Sequence, residues 1–185
     1  RDISAEDILV GNKKANLRQM VEGEIARLGR AGDVRDIRFR EIAHSSLDFK
    51  DLRIHDYGYR TATTYEHFLE WVTPKGRIAG FLRLSLPRWG ELASGELDVR
   101  ADELPVRPNE AMIREVHVYG QVAHLGRADS SSQHRGLGRE LVEHACGVAR
   151  AAGYGRVNVI SSVGTREYYR RLGFADVGLY QCREL

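Results

Sequence analysis

The six residues Gln133-His134-Arg135-Gly136-Leu137-Gly138 constrain this chain more than any other stretch. They follow a strand-like run, Ile113-Arg114-Glu115-Val116-His117-Val118-Tyr119, and a polar loop over residues 120–132. They open a helical pattern over residues 139–152, where Leu141, Ala145, Val148, Ala149 and Ala152 recur on one stripe and Gly153 supplies a stop. A helix begins with backbone N–H groups that lack partners and with partial positive charge, so its first turn attracts anions. Glycines at 136 and 138 let those N–H groups approach a pyrophosphate with no Cβ in the way. Arg135 and Arg139 can add charge-assisted contacts. With a second strand at 156–160, the order strand, turn, helix, strand makes a βαβ unit and points to an α/β (α+β) domain.

The rest of the chain extends that domain. Ile78, Gly80, Leu82, Leu84 and Leu86 alternate onto one face of a strand. That strand pairs in an expected hairpin with residues 66–72, through a turn at Thr73-Pro74-Lys75-Gly76. Tyr57 and Tyr59 alternate with small or polar residues, as in an edge strand. Residues 87–109 hold every proline except Pro74 and read as a surface loop or insertion. A short helix is expected over 165–172 and a last strand over 174–180. Near the start, residues 14–29 place Leu17, Met20, Val21, Ile25 and Leu28 at helical spacing, and Gly29 and Gly32 break the pattern. These patterns divide the chain into residues 1–45, a short helical segment with a linker, and residues 46–185, the main domain.

Composition sets limits. The net charge of +2 makes no case for nucleic acid, so only local clusters bear on it. Lys13, Lys14 and Arg18 are such a cluster; they read either as a solvated helix start or as a phosphate or RNA contact. Cys146 and Cys182 form no CxxC pair, and the seven histidines show no ligand spacing, so no metal site is expected within the chain. Two isolated thiols suit a cytoplasmic location. No apolar run reaches membrane-spanning length. The opening at Arg1 suggests a piece of something longer.

Three phosphate-binding patterns compete for the glycine motif. A dinucleotide site needs GxGxxG and an acid about 20 residues later. A P-loop needs GxxxxGK[ST], which is absent. The run at 133–138 resembles the Q/RxxGxG/A motif with which GNAT acetyltransferases hold the pyrophosphate of coenzyme A. A second landmark, Tyr168-Tyr169-Arg170-Arg171-Leu172-Gly173-Phe174, resembles the YxxLGF helix end of the same family. There the resemblance implies a tyrosine near the thioester sulfur that protonates the departing thiolate, and Tyr169 matches that position. Adjacent helical residues cannot share a face, so one tyrosine of the pair is expected to pack the helix on the sheet.

Longer strings resemble one branch, the catalytic subunit of Elongator. They are Gly11-Asn12-Lys13-Lys14 with Asn16-Leu17-Arg18-Gln19, then Ile113–Gly120, then the glycine motif, then Val159-Ile160-Ser161-Ser162-Val163-Gly164-Thr165-Arg166-Glu167-Tyr168-Tyr169-Arg170. The resemblance implies a GNAT-type mixed sheet flanked by helices, preceded by the end of a radical-SAM barrel. It implies acetyl-CoA binding and tRNA-stimulated hydrolysis. It further implies that the full-length protein, with S-adenosylmethionine and a [4Fe–4S] cluster, builds 5-carboxymethyl-type groups on uridine 34 of tRNA, with Elongator-type accessory subunits as possible partners. Lys13, Lys14 and Arg18 then become RNA-contact candidates. Two departures matter: the radical-SAM CxxxCxxC element is absent, and the stretch 33–42, where many members carry a zinc knot, has no cysteine. Arg/Asp pairing is the expected substitute there.

The expected mechanism follows. Val116, His117 and Val118 of the strand, and Gln133, His134, Arg135, Gly136, Leu137, Gly138 and Arg139 of the turn, hold the cofactor together with Tyr168 and Tyr169. Strand donors polarise the thioester carbonyl, and Tyr169 assists the sulfur. Glu115 or His117 acts as base or positions water, against the plainer readings of a salt bridge for Glu115 and packing for His117. An amine N-acetyltransferase and a non-catalytic acetyl-CoA-sensing or RNA-docking module are the alternative functions.

Overall fold

Alternation and one tight turn build the first part of the sheet. A computed structural model describes residues 4–11, 13–14, 16–42, 51–119 and 134–185. Strand β1 (Arg53–Arg60) is one edge of the sheet, β2 (Thr64–Val72) pairs with it, and β3 (Ile78–Pro87) follows through a turn in which Gly76 has φ +73°. Only glycine takes that conformation without strain. Strand β4 (Glu110–Val118) continues the antiparallel run. The 18-residue helix α4 (His134–Ala151) carries the chain over to β5 (Arg156–Val159), parallel to β4. Helix α5 (Arg166–Arg171) then leads to β6 (Ala175–Val177) and β7 (Tyr180–Glu184). The strand order is β1-β2-β3-β4-β5-β7-β6.

The expected single strand at 174–180 is instead a hairpin that turns at Gly178, φ +59°. Its second arm, not its first, lies against β5. The expected loop at 87–109 contains a short helix, α3 (Trp89–Ser94), whose Leu92 is buried. Gly95, φ +76°, ends that helix.

One face of the sheet is covered by α4. Leu69, Leu82, Leu84, Ile113, Val157 and Val159 meet Leu141, Val142, Ala145 and Ala149 in one apolar core. The opposite face of β2, β3 and β4 carries Glu66, Phe68, Phe81, Arg83, Glu115 and His117, as strand alternation requires.

The chain divides into two compact units, residues 1–40 and 41–185. The first contains helix α1 (Leu17–Arg27) and the short α2 (Ile37–Arg40). No residue of α1 is buried, and Leu17, Met20 and Val21 are exposed. No helix among the described residues is long and apolar enough to cross a membrane.

Candidate functional site

The site begins with a strand paired along one side only for part of its length. β4 stays with β3 to its end, and beyond it Tyr119 N–H donates to Ala79 O at 2.8 Å. On its other side β4 pairs with β5 only from Glu110 to Ile113, after which the two strands part. The register between β3 and β4 shifts at Arg83/Leu84, which places Arg114 at a bulge where the gap opens. Because Tyr119 N–H faces β3, alternation turns the N–H groups of Val118 and Val116 towards the gap. Gly80 fixes the close approach of β3. A Cβ there would stand 2.9 Å from His117 O and 3.3 Å from Val118 Cα.

The first turn of α4 meets the end of this open stretch. Leu137 is buried with Ile42, Leu52 and Ala79, and its carbonyl accepts from Trp71 Nε1 at 3.2 Å. Those contacts pin the turn to the sheet. A Cβ on Gly138 would lie 2.9 Å from the Tyr168 hydroxyl and 3.4 Å from Val118 Cγ2. Strand end, helix start and α5 therefore converge on one glycine. Gly136 is half-buried and Arg139 is exposed. His134 and Arg135 fall in the first turn of the helix, and Gln133 lies outside the described residues.

The two tyrosines separate, as neighbouring helical positions must. Tyr169 is 7% exposed and packs edge-on against Phe174, with ring centroids 5.6 Å apart. Burial pushes its phenol up to about 12, with the neighbouring Tyr168 adding to the effect. Tyr168 is half-buried and brings its hydroxyl to Gly138. Burial also raises its pKa, while the charge of Arg139 acts in the opposite direction. The sequence assigns the gap to Tyr169, while the hydroxyl that the fold brings to the glycine turn is that of Tyr168. The packing member of the pair is Tyr169, and the tyrosine at the glycine turn is Tyr168.

Glu115 and His117 sit on the sheet face away from α4 and touch each other, His117 Nε2 lying 3.1 Å from Glu115 Oε1. Arg83 approaches the other carboxylate oxygen at 3.6 Å. The His117 ring stacks on Phe81, with centroids 5.3 Å apart and planes at 19°. Both plainer readings, an arginine pair for Glu115 and ring packing for His117, are therefore present in the geometry.

The RNA candidates belong to the other unit. Lys13 and Lys14 are exposed. The Arg18 guanidinium is held by Glu22 at 2.7 Å and Asp36 at 2.8 Å, and these contacts raise its pKa. Asp36 also caps α2 by accepting from Phe39 N–H at 2.9 Å. Arg30 pairs with Asp33 at 3.0 Å, so the two aspartates of the cysteine-free stretch, Asp33 and Asp36, meet arginines from outside it. No cluster of metal-binding side chains occurs among the described residues.

Sequence reasoning missed Trp71 and the steric role of Gly80. An indole at the end of a half-buried strand needs a partner for its N–H, which was the available signal for Trp71. Gly80 stands in an otherwise apolar strand, and an interior glycine marks a close backbone approach.

Comparison with known proteins agrees with this geometry. The acetyltransferase (GNAT) family pattern matches residues 35–174. Over its whole length the chain is 33% identical to a tRNA uridine(34) acetyltransferase of Dehalococcoides mccartyi, covering 39% of that protein. It is 31% identical to Elongator complex protein 3 of Danio rerio, covering 33% of it. The solved structure of Elp3 from the archaeon Methanocaldococcus infernus, with an N-terminal deletion, superposes with a TM-score of 0.74 at 31% identity, over 100% of this chain and 43% of that one. The chain spans well under half the length of these relatives. With the fold, the glycine turn and the family match in agreement, the chain belongs to the acetyltransferase (GNAT) family.

Proposed function

We propose that the chain is the acetyl-CoA-binding, acyl-transferring part of an enzyme that modifies uridine 34 of tRNA. The convergence of β4, α4 and α5 on Gly138 carries the proposal, because it brings the start of a helix, the open end of β4 and the Tyr168 hydroxyl to one point. Free N–H groups in the first turn of α4 bind the pyrophosphate. The N–H groups of Val116 and Val118 bind the pantetheine arm in the position of a missing strand. The thioester then lies where β4 and β5 part. Water adds to its carbonyl carbon, the C–S bond breaks, and Tyr168 protonates the leaving thiolate. A tyrosine phenol is protonated at neutral pH without any shift, so Tyr168 carries the proton it is to give. Glu115, oriented by His117 and Arg83, accepts the proton of the attacking water.

The names of the relatives support tRNA as substrate and Elongator-type proteins as partners. In this reading residues 1–45 form the joint with a radical-SAM barrel, and Lys13 and Lys14 touch tRNA there. S-adenosylmethionine and a [4Fe–4S] cluster would be held by the remaining length of the protein, since this chain offers only Cys146, which is buried, and Cys182.

The test is acetyl-CoA hydrolysis by the purified chain, with and without total tRNA and with and without an added amine. Stimulation by tRNA is expected. Tyr168→Phe should lower turnover by about 10²–10⁴-fold, and Tyr169→Phe should leave it nearly intact. Turnover that ignores tRNA and requires an amine would replace this reading with an amine acetyltransferase.

A further inference from the structure

The sheet face opposite α4 carries a second opening. A cavity of about 250 Å³ lies over β2, β3 and β4, at the end of β4 that holds Met112 rather than Val118. Glu66 lines it and is only 5% exposed. Thr64 Oγ1 and Ser85 Oγ donate to Glu66 Oε1 at 2.6 and 2.5 Å. Glu66 Oε2 is buried and has no hydrogen-bond partner among the described residues. The two hydroxyls direct their protons at Oε1, which orients the carboxylate and leaves Oε2 as an acceptor. A buried acceptor without a donor is costly, so a site built this way calls for a ligand with an N–H or O–H at that point.

The remaining walls narrow the choice. Pro105 and Met112 present apolar surface, and the half-exposed ring of Tyr59 stands at the edge. Two guanidiniums, Arg83 and Arg114, also line the cavity. Arg83 is partly offset by Glu115 at 3.6 Å, so Arg114 is the guanidinium that adds positive charge to this lining and suits an anion. The ligand must therefore offer a donor at its inner end, a flat body and an anion at its outer end. The volume is below the roughly 300–1,000 Å³ of pockets for drug-sized molecules, so a single ring system is the fitting size.

We propose that this cavity takes one ribonucleotide, its base inserted edge-first so that ring N–H groups donate to Glu66 Oε2, with its phosphate held by Arg83 and Arg114. Guanine fits best. Its N1–H and N2–H₂ stand side by side and can share one oxygen, whereas uracil flanks its single N–H with carbonyls that would face the carboxylate. Tyr57 lies on the same face two residues from Tyr59, about 6.7 Å along the strand, and is 46% exposed. It offers a neighbouring base a ring on which to stack. Arg83 is shared with Glu115, but no residue assigned to hold acetyl-CoA lines the cavity, so nucleotide binding there and acetyl-CoA binding can fail separately.

The experiment is calorimetric titration of the 185-residue chain with GMP, 1-methyl-GMP, guanosine and, as an amine probe, free lysine. GMP should bind best. Methylation of N1 and the Glu66→Gln substitution should each weaken GMP by about tenfold or more. Arg114→Ala, at an exposed position that cannot threaten the core, should weaken GMP and leave guanosine unchanged. Glu66→Gln should leave acetyl-CoA binding unaltered. Equal binding of GMP and 1-methyl-GMP, tighter binding of lysine than of GMP, or no nucleotide binding at all would overturn the proposal.

Discussion

The two faces of the sheet are made from the same strands and behave differently. Towards α4, β2, β3 and β4 present leucine and isoleucine, and the contact is apolar and without direction. Away from α4, the alternate residues of those strands include buried Glu66 and Ser85 and the Arg83–Glu115–His117 series, whose histidine stacks on Phe81. Hydrogen bonds and charges there depend on angle and distance, so function needs placed atoms where stability needs only filled volume. The gap proposed for acetyl-CoA belongs to neither face. It opens within the plane of the sheet, where β5 leaves β4.

This contrast can be broken first at its strongest point. Leu141→Ala, fully buried between α4 and the sheet, should cost about 2–5 kcal/mol in denaturant unfolding. A loss below 1 kcal/mol would mean that the α4 face is not the main source of stability. Tyr169 gives the next largest effect. Its phenol has a folded value of about 12 against an ordinary 10.0. The folded chain therefore holds that proton more tightly than the unfolded chain. The resulting stability is complete below pH 10 and falls as pH rises through 12, by up to about 2–3 kcal/mol. Tyr169→Phe should flatten this alkaline decline in a series of melts, and an unchanged decline would show that other groups cause it.

Trp71→Phe removes the indole N–H bond to Leu137 O. It should cost about 1 kcal/mol and weaken acetyl-CoA binding more than that loss alone implies, because the glycine turn loses its tie to β2. Glu115→Gln, on the open face, should change stability by less than about 0.5 kcal/mol while lowering acetyl-CoA turnover. The reverse pattern, stability lost and turnover kept, would make the Arg83–Glu115–His117 series structural.

Much of the fold was legible because it rests on period. The alternation of Ile78–Leu86, the stripe on α4 and the turn at Gly76 each follow from local rules, and all three appear. The tyrosine pair was legible only in part. Helical geometry requires Tyr168 and Tyr169 to diverge, but which one faces the gap depends on how α5 is rotated against Phe174, a tertiary fact. The hairpin at 175–184 was missed because two short strands around Gly178 leave too few residues for a period to show. Glu66 escaped for a related reason. In Thr64–Val72 it looks like an ordinary solvent-side residue of an alternating strand, and only Ser85 and the 104–106 segment across from it make the position a buried one.

The half-paired strand has a consequence for how the chain survives in solution. From Arg114 to Val118, the side of β4 away from β3 has backbone donors that no strand among the described residues uses. Unpaired edges recruit other polypeptides, and proteins ordinarily blunt them with charge, bulges or cover. Here the bulge at Arg114 stands where that edge begins. A bound pantetheine arm would complete the cover. Ligand at a hundredfold excess over its Kd would add about 2.7 kcal/mol to folding stability and remove the edge at the same time. Acetyl-CoA would then act as a protectant, and heated samples containing it should aggregate later than samples without it.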